Sequence, residues 1–426
     1  MICGFYHMKF KKANKDLDLK SNDRLFLKSK SPFAPKHYKD LQPIGFKIFT
    51  FHSGFKKKND DLLIIVFDQI VKVACKYSLT TMPSAPIIWD KKNNFGSCKA
   101  LIVNSGNANA HTGKQGIINI KKYVSQLVKF LNCSIKDILV SSTGVIGEQL
   151  DPNKICKKIK LLKISNEKKL IDAARAIWTT DTFVKTSIHN LKIGKKNIKI
   201  YGFGKGSGMI CPNMGTMLAY LFIDCELSSA ILKKLLSDNI QDTFNSISVD
   251  SDTSTSDTVL LYTNPINKYN VNKNYNKISK TLNKVMKELS IKIITDGEGI
   301  KKLIKVNVNK AKNKIQAKKI AFSIVNSPLV KTAIAGEDAN WGRVVMAIGK
   351  TKEKIRQEKT KIKFGNNILA LNGERNRNIN ISKVDKYMKN NVIEIEVSLG
   401  LGKASSIVFG NDLNNEYIKI NADYRS

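Results

Sequence analysis

Apolar positions along the chain fall into short runs and helix-period stretches separated by polar turns, with no uninterrupted block of membrane-spanning length. Leu62-Leu-Ile-Ile-Val-Phe67 and Ile198-Lys-Ile-Tyr-Gly202 read as strands, as does Ile393–Leu399 with its strict alternation. Ala100-Leu-Ile-Val103 predicts a strand that opens into residues 104–113, a turn dense in Asn, Ser and Gly. Such residues accept unusual backbone angles and offer side-chain hydrogen bonds. Behind it, Ile117, Ile120, Val124, Leu127, Val128 and Leu131 recur at helical spacing. Leu139–Gly147 repeats the strand-to-turn plan, and Ala173–Lys185 reads as a helix running out into a polar turn. Ala230, Ile231, Leu235, Ile240 and Phe244 predict an amphipathic helix capped by Ser228 or Ser229. Ile278, Leu282, Val285, Met286 and Leu289 predict another, followed by a strand at Ile291–Ile294 and a turn at Asp296–Gly299 whose Glu298 is expected to be exposed.

One stretch concentrates candidate chemistry. Gly204, Gly206 and Gly208 surround Lys205, which lets backbone amides and a cation approach a small electron-rich group. From Thr216 the text turns into a nearly continuous apolar run ending at Ile223, so a hydroxyl sits where a loop enters a buried strand. That position suits a nucleophile.

At 426 residues, 42% hydrophobic and 8% aromatic, the chain suits a globular enzyme of two lobes. A net charge of +37 raises the question of a nucleic-acid partner, but only seven of the 72 basic residues are arginine. Lysine is the poorer reader of phosphate and base geometry, so the excess reads as a solvated lysine surface, with no nucleic acid and no membrane among the partners. Seven cysteines form no Cys-x-x-Cys pair, and five histidines form no close ligand pair, so free thiols and no zinc are expected. Asp250, Asp252 and Asp257 lie within eight residues, but the glycine and terminal glutamate of a calcium loop are missing. A hydrogen-bonded loop without metal is the reading. The N-terminus lacks a secretory core, and residues 1–40 hold a single arginine and four aspartates, so a cytoplasmic location is expected.

The segments Ala100–Gly113, Leu139–Gly147, Thr179-Thr-Asp-Thr182, Gly204–Asp224, Val249–Thr258, Asn326–Gly349 and Asn421–Ser426, in this order, closely resemble the ornithine acetyltransferase family, bifunctional members of which also act as N-acetylglutamate synthases in arginine biosynthesis. The resemblance implies an α+β fold in two lobes, of the self-cleaving N-terminal-threonine type shared with related aminopeptidases. It divides the chain into a lysine-rich extension (1–40), an alpha chain (41–215) and a beta chain (216–426) that begins with the nucleophile after cleavage at Gly215–Thr216. Thr216 is then the nucleophile, Thr143 and Gly144 the oxyanion hole, and Thr179, Lys205, Thr216, Glu298, Asn421 and Ser426 the substrate contacts. The implied reaction moves an acetyl group from N2-acetylornithine to glutamate by ping-pong through acetyl-Thr216. No cofactor is implied, and acetyl-CoA stays open as a second donor. The fragments are implied to remain associated and to pair into a heterotetramer. Gly215, Ala339 and Ser426 stand where many members carry Ala, Pro and Thr. The alternative is a self-processing amide hydrolase or aminopeptidase of the same fold; a noncatalytic lysine-rich binding protein is a third reading.

Overall fold

Strands in this chain are built mainly from unbroken apolar runs, which demand cover on both faces. The computed structural model describes residues 31–211, 217–264 and 274–423. Its strands are β1 (Phe46–Phe51), β2 (Leu62–Tyr77), β3 (Ser97–Asn107), β4 (Ile138–Val145), β5 (Lys185–Ile193), β6 (Lys196–Lys205), β7 (Leu218–Ile223), β8 (Ile247–Ser248), β9 (Thr258–Thr263), β10 (Leu303–Ala311), β11 (Lys361–Phe364), β12 (Asn367–Leu371), β13 (Glu374–Arg375), β14 (Val392–Ser398) and β15 (Ala404–Asn411). In the first sheet β4, β3, β2, β9, β7, β6 and β5 lie side by side, with β1 paired to β2. The second sheet runs β13, β12, β11, β14, β10, β15, β8. Mixed helix and sheet make the fold α+β.

Helices α1 (Ala85–Asn93), α2 (Gly113–Leu131), α3 (Pro152–Ile159), α4 (Leu170–Ala176), α5 (Ser229–Ile240) and α6 (Tyr275–Ile294) pack on the first sheet. Every residue of β7 is buried. Its Ala219, Leu221 and Ile223 belong to one core with Leu232 and Leu235 of α5 and Leu282, Val285 and Leu289 of α6. Its other face enters an aromatic layer, with the Phe222 ring 4.7 Å from Phe46 and 5.3 Å from Tyr262. Helices α7 (Lys314–Val325), α8 (Pro328–Ala335), α9 (Trp341–Gly349) and α10 (Ile381–Met388) belong to the second core, drawn from residues 304–408. Helix α11 (Asn415–Asp423) has no buried residue and lies near the surface.

Two expectations change. Ile291–Ile294 is no strand but the last turn of α6, ending where the Thr295 N–H reaches the Ile291 carbonyl at 2.9 Å. Leu289 to Ile293 is one more step of four on the helix's buried face, so the helical period simply continues through the apolar cluster. β2 extends well past Phe67 to 16 residues, pairing first with β3 and, beyond an irregularity between Val66 and Val71, with β9. The end of the lysine-rich extension is anchored over residues 31–40. The Ser31 hydroxyl donates to the Thr295 carbonyl at 2.5 Å, Phe33 packs on the core, and the Thr186 hydroxyl donates to the Lys39 carbonyl at 2.8 Å. No helix among the described residues is long and apolar enough to cross a membrane.

Candidate active site

The ends of three strands and the loops beside them converge on one cleft. Thr143 and Gly144 close β4, Lys205 closes β6, and Ser254, Thr255 and Ser256 precede β9. Thr179 and Thr180 follow α4, Glu298 follows α6, and α11 brings in Asn421. With Ala108, Ile146, Gly208 and Met209 these residues enclose about 630 Å³, counting the open mouth. That size suits a small metabolite. All six described residues singled out from the sequence, Thr143, Gly144, Thr179, Lys205, Glu298 and Asn421, therefore line the same space. Gly215, Thr216 and Ser426 lie outside the described residues.

Hydrogen bonds fix the loop after β6 on both sides. Asp250 accepts the N–H groups of Met209 and Ile210 at 2.6 and 2.9 Å, and Asp257 accepts the Met217 N–H at 2.8 Å. The residue directly after Thr216 is thus held by a buried carboxyl group. Burial drives the Asp257 carboxyl well above the usual range, the Met217 N–H and Lys205 opposing it, and pushes Asp250 up to about 6 against the two N–H donors. Both aspartates serve the loop as hydrogen-bond acceptors. No cluster of three or more His, Cys, Asp or Glu able to hold a metal occurs among the described residues.

Glu298 is buried at 7% exposure, not exposed as its two flanking glycines suggested. Its N–H donates to the Ser207 carbonyl at 3.0 Å, and Asn421 Nδ2 donates to its Oε2 at 2.9 Å. The small residues here serve close approach. A Cβ on Gly208 would collide with the Glu298 carboxylate, and Gly299, at φ +71°, would bring one within 2.5 Å of the Tyr417 N of α11. The turn is tucked beneath the lysine loop and roofed by α11.

Lys205 is 2% exposed, with Nζ 3.4 Å from Thr179 Oγ1. Burial lowers its ammonium from the usual range, while Asp181, Asp257 and Glu298 counter that and Lys185 adds to it. A buried cation, a buried carboxylate and an amide facing one cleft can grip a small molecule that carries both charges, such as an amino acid. Thr180, Ser254, Thr255 and Ser256 add hydroxyls that sequence reasoning did not single out. The signal for the last three was their hydroxyl run between Asp252 and Asp257.

The chain matches the family model described as ArgJ family over residues 47–426. It is 42% identical over 410 residues to the arginine biosynthesis bifunctional protein ArgJ of Bradyrhizobium diazoefficiens, covering 93% of this chain and 99% of that protein. The protein of the same description from Brucella suis is 41% identical over 410 residues with the same coverage. Among solved structures, the arginine biosynthesis bifunctional protein ArgJ of Bacillus halodurans is similar at 33% identity and a TM-score of 0.46, covering 49% of this chain and 100% of that one. Ornithine acetyltransferase complexed with ornithine, from Mycobacterium tuberculosis, aligns at 23% identity and a TM-score of 0.34, covering 40% of this chain and 92% of that one. With the family model spanning residues 47–426 and relatives above 40% identical along almost their whole length, the chain belongs to the ArgJ family.

Proposed function

We propose that this acyltransferase of arginine biosynthesis transfers the acetyl group of N2-acetylornithine to glutamate through an acetyl-Thr216 intermediate, after cutting its own chain at Gly215–Thr216. The observation that carries the reading is convergence: residues 143–144, 179, 205, 298 and 421 are far apart in sequence and line one cleft. In this reading Lys205, Thr179 and Asn421, with Ser426 beyond the described residues, hold the substrate carboxylate, and Glu298 holds the ornithine side-chain ammonium. Self-cleavage frees the α-amino group of Thr216, whose ordinary pKa of about 8 suits a base near neutrality. The Thr216 Oγ attacks the acetyl carbonyl, its proton passing to that amine. Thr143 and Gly144 stabilise the oxyanion, a role in which one donor contributes about 3 kcal/mol. The carbon–nitrogen bond then breaks, ornithine leaves with the proton, and the amine of glutamate attacks the acetyl ester by the same steps in reverse.

Sheet order supports association of the fragments after cleavage, because β7 and β9, on the C-terminal side of the cut, lie between β2 and β6, on its N-terminal side. Pairing of two such units into a heterotetramer completes the proposed assembly. Six described cysteines are free thiols, which suits the reducing cytoplasm. Intact mass under denaturing conditions tests the reading. Two fragments meeting at Gly215/Thr216 in the wild type, and one chain in Thr216→Ala, are expected. A folded but uncut wild type would overturn it. Assay of the cut protein with N2-acetylornithine and glutamate should yield ornithine and N-acetylglutamate; acetate released without glutamate would assign a hydrolase instead. Replacing N2-acetylornithine by acetyl-CoA decides whether that donor is also used.

A further inference from the structure

The cation of the cleft stands on a buried charged truss that the acetyl transfer itself does not use. Asp181 Oδ2 accepts the Thr179 N–H at 3.1 Å, and its Oδ1 accepts the Gly206 N–H at 2.8 Å and the Lys185 ammonium at 2.5 Å. Lys185 reaches on to Asp296 Oδ2 at 2.6 Å, which also accepts the Thr182 N–H at 2.9 Å. The Ser207 hydroxyl donates to the Asp296 carbonyl at 2.6 Å, and Glu298 hangs from the Ser207 carbonyl. The side chains of Lys185, Asp181 and Asp296 have no solvent exposure. Three segments carrying Thr179, Lys205 and Glu298 are thereby tied to one triad.

We propose that Asp181 is a positioning residue for substrate capture: its carboxylate fixes the backbone at Thr179 and at Gly206, next to Lys205, and favours the charged form of Lys205 that meets an anionic group of the substrate. This deepens, and rests on, the reading of Lys205 as the ligand of the substrate carboxylate. The charged groups acting on Lys205 are Asp181, Asp257 and Glu298, which favour its ammonium, and Lys185 and Lys56, which oppose it. Burial drives the Asp257 carboxyl upward, which works against its charged form. Asp181 is the largest favourable influence, and it keeps its charge, because Lys185 and Lys205 outweigh its burial and hold its carboxyl down to about 2.

The variant Asp181→Asn keeps shape and one acceptor but removes the charge, leaving Lys185 paired with Asp296. Two readouts decide. KM for N2-acetylornithine and for glutamate is expected to rise about tenfold with kcat within about threefold, the pattern of lost binding rather than lost chemistry. In protein carrying ¹³Cε-lysine, the Lys205 signal, identified by its disappearance in Lys205→Arg, is expected to titrate at lower pH in Asp181→Asn than in the wild type. Asp181→Glu, which retains the charge, should bring the titration back toward wild type, an effect that a purely steric role would not produce. A Lys205 titration identical in wild type and Asp181→Asn overturns the proposal. Should Asp181→Asn not fold, the wild type alone decides: a Lys205 that is already neutral at the pH of activity overturns the inference, and one that stays charged supports it. Absence of acetyl transfer in the wild type would sink the proposed reaction, while the Lys205 titration still rules on Asp181.

Discussion

Single carboxyl groups carry the sharpest consequences of this fold. Glu298 lines the cleft with Asn421 on its Oε2, and in the proposed reaction it meets the ornithine ammonium, so Glu298→Gln keeps the shape and removes the charge. KM for N2-acetylornithine should rise about tenfold to a hundredfold, whereas glutamate, which brings no side-chain ammonium, should be affected far less. Equal losses for both substrates would argue against an ammonium site. Asp250 and Asp224 illustrate a second effect, since burial raises each to about 6 despite the hydrogen bonds that oppose it. An acid whose folded pKa lies above its unfolded value binds more protons when folded. Its contribution to stability therefore falls as pH climbs from about 4 to 6 and is constant above that window. Asp250→Asn should remove about 2 kcal/mol of this fall across the window, allowing for screening of a partly exposed group, in urea unfolding measured between pH 4 and 7. An unchanged slope would mean that Asp250 titrates alike in the folded and unfolded chains. The resemblance pointed to Glu298 as a substrate contact, but its burial was not legible from sequence, because flanking glycines mark either an exposed turn or a crowded one, and only the packing of Gly208 and Tyr417 tells which.

At the scale of elements, the sequence reported local geometry well where one face was apolar and poorly where an element's length depended on its partners. The α2 pattern and the Ser228 cap of α5 are where periodicity and capping rules put them. The end of α6 and the length of β2 were not, since a short stretch such as Ile291-Lys-Ile-Ile294 fits helix and strand alike, and a strand's reach past its apolar run depends on its partners. α11 belongs to a third kind: it buries none of its own residues, yet Asn414 donates to the Gly299 carbonyl at 2.7 Å, Asn421 to Glu298 and Tyr417 to Asp250 at 3.4 Å. Such an element is read from its contacts with a turn, not from its own pattern. Gly299→Ala places a methyl group 2.5 Å from the Tyr417 N at positive φ, so it should lift α11 and raise KM for N2-acetylornithine about tenfold, with a stability loss of roughly 1–2 kcal/mol. Gly349→Ala, in open space at the end of α9, is the control and should leave KM unchanged. If Gly299→Ala binds substrate as the wild type does, α11 has no part in the cleft's roof.

For the whole molecule the decisive feature is the order of strands in the first sheet. Motifs along the chain identified six of the cleft residues, but nothing in the text of the sequence revealed that β7 and β9 would be threaded between β2 and β6, because that pairing depends on contacts far apart in the chain. β7 pairs antiparallel with β6 from Ile200 to Lys205 and parallel with β9 along its whole length, and all six residues of both β7 and β9 are buried. A cut at Gly215–Thr216 removes one covalent link and leaves these ladders, the aromatic layer around Phe222 and the α5–α6 cover in place. Pulling the fragments apart would strip strands from the middle of a sheet and expose both edges with their apolar faces. The cut protein should therefore run as one species on gel filtration, give both fragments only under denaturant, and unfold in a single transition with coincident far-ultraviolet circular dichroism and tryptophan fluorescence. Dilution to nanomolar concentration should not separate the fragments, since a sheet completed by two chains behaves as one core. Separation without denaturant, or two resolved unfolding transitions, would mean that the sheet is not shared across the cut and would remove the basis for a cleft built from both fragments.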